Sequence, residues 1–182
     1  MSLDQLVDYA ISLGASRAKA VDVAEIIVFD ERCRLKCFVP LCPEYGSNLL
    51  CPPNLPPLEE VWKAIKRYRK AVLVQKDYRL LSEKYRRELV ADAWRDFNNL
   101  LSSLERRAFE LGYVFAAALG SANCVLCEKC VGPSGVCKHP LEARPSMQAL
   151  GIDVFSTAKK AGMPISMPIR DTLTWTGLLL VE

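Results

Sequence analysis

The 182-residue chain is predicted to be a single α/β domain over residues 1–182: a small mixed sheet flanked by helices, with two cysteine-rich loops at residues 33–57 and 120–145. Three observations carry this expectation. Short apolar runs of strand character alternate with amphipathic segments of helical period, the pattern of an α/β core. A proline-dense stretch interrupts that alternation once. The eight cysteines fall into two groups of four, with none between Cys51 and Cys124.

The elements follow in order. Residues 2–13 are expected to form a helix, with Ser2 and Gln5 in a capping-box pattern and Leu6, Tyr9, Ala10 and Leu13 on its apolar face. Residues 23–29 predict a strand running on toward Arg34. Between 37 and 57, Pro40, Pro43, Pro52, Pro53, Pro56 and Pro57 exclude regular helix and interior strand. Leu58–Tyr68 predicts a helix opening just after Pro57, and Ala71–Gln75 a short buried strand. Ser82 is placed to cap a long helix ending near Leu111, with Tyr85, Leu89, Ala93, Phe97, Leu100, Leu104, Ala108 and Leu111 on its apolar side. Gly112 ends it, and Tyr113–Leu119 is an apolar strand delivering the chain to Cys124. Pro145 and Ser146 open a short helix. Asp153 caps another through Ala161, closed by Gly162, and Leu173–Val181 is the last strand.

Composition narrows the class. Apolar residues make up 51% and charged residues 25%, ordinary for a globular chain. The net charge of +3 does not by itself demand a nucleic-acid partner. No apolar run reaches the ~18 residues of a membrane span, and the acidic start predicts a helix and no signal peptide, so the expected location is the cytoplasm with no membrane partner. Disulfides are disfavoured there, hyperthermophiles excepted, which turns attention to metal ligation.

Cys124, Cys127 and Cys130 recur at every third residue, and Cys137 follows after a Gly-Pro-Ser-Gly turn. The first three match the C-x2-C-x2-C run that places one thiolate on each of several irons in bacterial ferredoxins. The fourth departs from it, because six residues intervene before Cys137, leaving that residue free to complete the site or to reach elsewhere. Zinc is the alternative metal, but its closed sites are usually two separated cysteine pairs. Disulfides or free thiols are the remaining alternative. Cys33, Cys37, Cys42 and Cys51 have spacings that match no such run; alone they are a weak signal, and Cys33 has the character of an ordinary buried cysteine as much as of a ligand. His139, the only histidine, is better explained as a turn residue before Pro140 than as a ligand beside the softer Cys137.

Both groups sit in longer patterns. Lys36-Cys37-x4-Cys42-Pro43-x-Tyr45-Gly46-x4-Cys51-Pro52-Pro53 is one. Cys124-x-Leu126-Cys127-x2-Cys130, with Cys137-x-His139-Pro140 and then Arg144-Pro145-Ser146-Met147-x-Ala149-x-Gly151-Ile152-Asp153-Val154, is the other. Together they resemble the two motifs of the "predicted metal-binding protein" family, domain of unknown function family 2284, over nearly the whole chain. The resemblance implies metal ligands at Cys37, Cys42, Cys51, Cys124, Cys127, Cys130 and Cys137, leaves Cys33 outside the motif, and implies no particular reaction.

Trp62–Arg87 is basic, with Lys63, Lys66, Arg67, Arg69, Lys70, Lys76, Arg79, Lys84, Arg86 and Arg87. A solvated face is the ordinary account of such a run. An acidic redox protein is the favoured partner, with nucleic acid the less favoured one despite the interleaved Tyr68, Tyr78 and Tyr85. Arg144, Ser146 and Asp153 are candidates to line a small-molecule pocket, although Ser146 and Asp153 as helix caps is the simpler account. No catalytic set can be assembled. The expected function is an iron–sulfur protein with one or two [4Fe-4S] clusters that transfers electrons to a partner enzyme. The alternatives are a zinc-binding structural or nucleic-acid-binding module, and an enzyme whose three-cysteine cluster leaves one iron open to substrate or sulfide.

Overall fold

Four strands form one sheet in the order β1-β2-β4-β3. The computed structural model describes residues 3–80 and 86–182. Strand β1 is Arg17–Asp22, β2 Lys70–Arg79, β3 Ala117–Leu119 and β4 Thr172–Leu180. All three ladders are antiparallel, where a mixed sheet was expected; the one parallel pairing among the described residues is an isolated bridge between Gly120 and Ser146. The helices are α1 Asp4–Ser12, α2 Val23–Ile26, α3 Leu35–Phe38, α4 Leu58–Ile65, α5 Arg86–Glu110 and α6 Val154–Lys160. The α/β class holds.

Both faces of the sheet are covered, which is why β2 is buried at every position from Ala71 to Gln75 rather than at alternate ones. Val72 and Val74 point to one side, under Leu6 and Ala10 of α1 and Trp94, Phe97, Leu101 and Leu104 of α5. Ala71 and Leu73 point to the other, against Val23 and Ile26 of α2, Ile65 of α4, and Val154 and Ala158 of α6. Gly177 in β4 is required by this packing. A Cβ there would lie 2.7 Å from Leu101 Cδ1 and 2.9 Å from the Leu119 carbonyl oxygen.

The strand expected at 23–29 is not formed. The strand is the preceding segment Arg17–Asp22, an edge strand that exposes Arg17 and Lys19 and so discourages further pairing. Val23 and Ile26, three residues apart, bury together as one helical turn. Phe29 keeps only an isolated bridge to Ile152. The strand expected over Tyr113–Leu119 is confined to its last three residues. Of the long helix, Ala93, Phe97, Leu100, Leu104 and Ala108 are buried as expected, and Trp94 and Leu101 join them. Ser2, Ser82, Lys84, Tyr85 and the side chains of Arg86 and Arg87 lie outside what is described.

Asp153 caps α6 by accepting the Ser156 N–H at 3.1 Å, and Gly162 ends it with φ +76°. Ser146 accepts the Ala149 N–H at 3.1 Å above a single 3-10 turn, Gln148–Leu150. Both residues therefore act as caps. No helix among the described residues is long and apolar enough to cross a membrane.

Candidate metal centre

The second cysteine loop is held at its neck. The chain leaves β3 at Gly120 and returns at Ser146, and the two ends are tied: Gly120 N–H donates to the Pro145 carbonyl at 2.9 Å, and Met147 N–H to the Gly120 carbonyl at 2.8 Å. Gly120 is required here too, since a Cβ would stand 2.5 Å from the Trp94 ring. The Trp94 Nε1–H donates to the Asn123 carbonyl at 2.7 Å, and Ser121 Oγ bonds the Thr176 carbonyl. Arg144 closes the exit. Its guanidinium pairs with Glu105 of α5 and donates to the carbonyls of Ala143, Leu141 and Pro140. Arg144 is thus a strut of the loop, with its charge held by Glu105.

Inside this loop Cys124, Cys127, Cys130 and Cys137 line one cavity, together with Asn48, Leu49 and His139. Two of the sulfurs accept backbone N–H groups. His139 N–H bonds Cys137 Sγ at 3.4 Å, and Leu49 N–H bonds Cys130 Sγ at 3.5 Å. Such bonds favour the thiolate, the form that ligates metal. At Cys124, in the protein alone, burial holds the thiol above the ordinary range. The His139 ring lies 3.8 Å from Glu142, and its backbone serves Cys137. Among the described residues, no three His, Cys, Asp or Glu side chains converge as donors around a single ion.

The first loop folds against the second. Cys33 lies in a 3-10 turn, Glu31–Arg34, and Cys37 in α3. From there to Pro57 the chain has no regular element, as the prolines dictate. Arg34 anchors its two ends, donating to the Ala149 carbonyl at 2.8 Å and the Pro56 carbonyl at 3.3 Å. Burial pushes the Cys51 thiol up to about 12, and the Glu44 carboxylate and the thiols of Cys42, Cys37 and Cys124 add to the rise. Within this loop Cys42 N–H donates to the Cys37 carbonyl at 2.9 Å, and Cys51 N–H to the Asn48 carbonyl at 3.1 Å. Cys33 does not join them. It faces a separate cavity with Asp30, Arg32, Gln148 and Asp153, where burial and the two carboxylates raise its thiol.

The residues of the expected basic face are dispersed. Lys70 pairs with Asp22 at 2.7 Å, Lys76 with Asp96 at 2.8 Å and Arg69 with Glu182 at 3.6 Å. Lys66 sits 5.5 Å from the Phe29 ring centre, and Lys63 and Arg67 are exposed on and just beyond α4. Two contributors to the centre carried no local signal in the sequence. They are Asn48, in the proline-rich loop, and Glu105, on α5.

The donor chemistry fits a metal: thiols gathered in a walled cavity, with amide donors directed at their sulfurs. Comparison with known proteins agrees at the level of family. No curated protein and no solved structure matches the chain. A family model described as "Predicted metal-binding protein" matches residues 19–181. The chain therefore belongs to this predicted metal-binding family.

Proposed function

We propose that the protein is an iron–sulfur protein that transfers single electrons, with a [4Fe-4S] cluster held by Cys124, Cys127, Cys130 and Cys137. The observation that carries this reading is the cavity lined by all four thiols, two of them accepting amide N–H groups. A cluster bound there supplies a one-electron couple, and the N–H···S bonds tune its potential. The chain's own part is to present the thiolates, exclude water and hold the loop at its neck.

The first loop supports a second metal site on Cys37, Cys42 and Cys51. The placement of Cys33 in a separate cavity favours a site with three protein thiolates and one position for an external ligand, the reading in which the protein acts on a small molecule such as sulfide. The test is anaerobic purification with iron, sulfide and zinc analysis of the wild type, Cys33→Ala and Cys42→Ala. Brown protein with iron and sulfide in equal amounts is expected, unchanged in Cys33→Ala and reduced in Cys42→Ala. Colourless protein with zinc would refute the iron–sulfur reading, and equal loss in the two variants would make Cys33 a ligand.

An acidic redox protein is the proposed partner, docking near the exposed Lys63 and Arg67. Complementary charge speeds encounter more than it tightens the complex. Reduction by an acidic donor protein should therefore slow severalfold as salt rises, and slow at low salt in Lys63→Glu/Arg67→Glu. A rate indifferent to both changes, or submicromolar RNA binding at physiological salt lost in the same variant, would sink the proposal.

A further inference from the structure

The geometry points to Asn48 as a positioning residue that joins the two cysteine loops into one composite centre, aiming a backbone donor of the first loop at a sulfur of the second. The inference rests on the iron–sulfur reading for its redox consequence, while the juxtaposition itself stands on the hydrogen bonds.

Asn48 is 1% exposed, although it sits in a loop without regular structure. Every polar atom of its side chain is used. Nδ2 donates to Glu44 Oε2 at 3.0 Å within its own loop and to the Cys124 carbonyl at 3.2 Å across to the other. Oδ1 accepts the Leu50 N–H at 3.0 Å. Its carbonyl accepts the Cys51 N–H at 3.1 Å and Asn54 Nδ2 at 3.0 Å. A buried amide with this many bonds fixes the backbone on both sides of it. The group fixed between Asn48 and Leu50 is Leu49, whose N–H points at Cys130 Sγ from 3.5 Å. The approach is close elsewhere as well, for a Cβ on Gly132 would lie 3.4 Å from the Ser47 carbonyl oxygen.

Two consequences follow. An N–H directed at a ligating sulfur draws electron density from it and favours the reduced cluster, so its loss lowers the reduction potential. The bond is supplied by the loop that carries Cys42 and Cys51, so disturbance of the first loop is felt at Cys130.

The experiment separates this role from mere support of the first loop. Asn48→Asp keeps the shape and the Oδ1 acceptor but loses the Nδ2 donor. Asn48→Asp/Glu44→Gln restores a hydrogen bond between the two side chains with its direction reversed, and restores the net charge, yet still lacks a donor toward the Cys124 carbonyl. Potentiometric titration followed by EPR, on holoprotein with iron content matched to wild type, reads the result. The expected outcome is a potential lowered by about tenfold in the reduction equilibrium, ~59 mV for a one-electron couple, in the single and the double variant alike. Asn48→Ser, which withdraws the reach to Cys124 without adding charge, takes the place of Asn48→Asp should that variant not fold. A double variant that returns to the wild-type potential would confine Asn48 to its own loop and overturn the inference, as would a single variant with the cluster bound and its potential unmoved.

If wild-type protein carries no iron, the iron–sulfur reading fails and the juxtaposition is decided by thiol alkylation of the metal-free protein. Cys130 should then react severalfold more slowly at neutral pH in the Asn48 variants, because the Leu49 N–H no longer favours its thiolate, with Cys33 unaffected. Equal Cys130 rates would overturn it.

Discussion

Replacement of Cys127 by Ala is expected to remove the metal of the second loop and a large part of the protein's stability together. The thiol is half-buried, and its loss from the metal-free fold should cost only ~1 kcal/mol, the ordinary scale for one small side chain. The loaded protein is different. A metal that binds the folded loop and not the unfolded chain contributes its binding free energy to folding. Wild type and Cys127→Ala should therefore melt at similar temperatures after metal removal and far apart when both are prepared anaerobically with iron and sulfide. Cys124→Ala and Cys130→Ala should behave alike, because their sulfurs line the same cavity. Unchanged iron and an unchanged melting temperature in the three loaded variants would leave the second loop without its proposed role.

The parts of the fold that sequence reasoning recovered are those whose cause is local. Asp153 and Gly162 bracket α6 because a carboxylate near a free N–H and a glycine at positive φ each act within one turn. The apolar run of β2 was legible because both its faces are covered. The misplacement of β1 has the opposite origin. Val23–Phe29 is more apolar than Arg17–Asp22, yet the place at the edge of β2 goes to the charged segment, where exposed Arg17 and Lys19 suit an edge. Only the sheet order decides that, and it depends on residues far along the chain.

The candidate site divides in the same way. The repeat of Cys124, Cys127 and Cys130 is visible from spacing alone, and these thiols line one cavity. The contribution of Asn48 to Cys124 spans 76 residues, and that of Glu105 to Arg144 spans 39. Neither pair has a signature shorter than the fold. Arg144 is a candidate pocket residue in the sequence; its partner Glu105 is visible only with α5 beside the loop's exit.

Glu105 is where the second large effect is expected. Its side chain is 15% exposed and that of Arg144 20%, so the pair is mostly withdrawn from water. One carboxylate oxygen accepts both the Ala118 N–H at 2.6 Å and Arg144 Nε at 2.7 Å, and the other accepts Arg144 Nη2. Three parts of the molecule thus meet on one group: α5, β3 and the exit of the second cysteine loop. Glu105→Ala leaves a guanidinium without its counter-charge and a strand N–H without its acceptor. Removing one partner of a buried pair costs 3–5 kcal/mol in the usual case. The remaining contact with water and the three carbonyls still serving Arg144 place the expected cost at the lower end, ~3 kcal/mol by chemical denaturation of the metal-free protein. The loaded protein should also lose metal to a chelator faster, because the loop's exit is no longer fixed. Arg144→Met paired with Glu105→Leu removes both charges and should recover much of the stability, giving a coupling energy well above the scatter of independent sites. A loss within ~0.5 kcal/mol for Glu105→Ala, with chelation no faster than wild type, would show that the neck at Gly120 and Ser146 holds the loop without this pair.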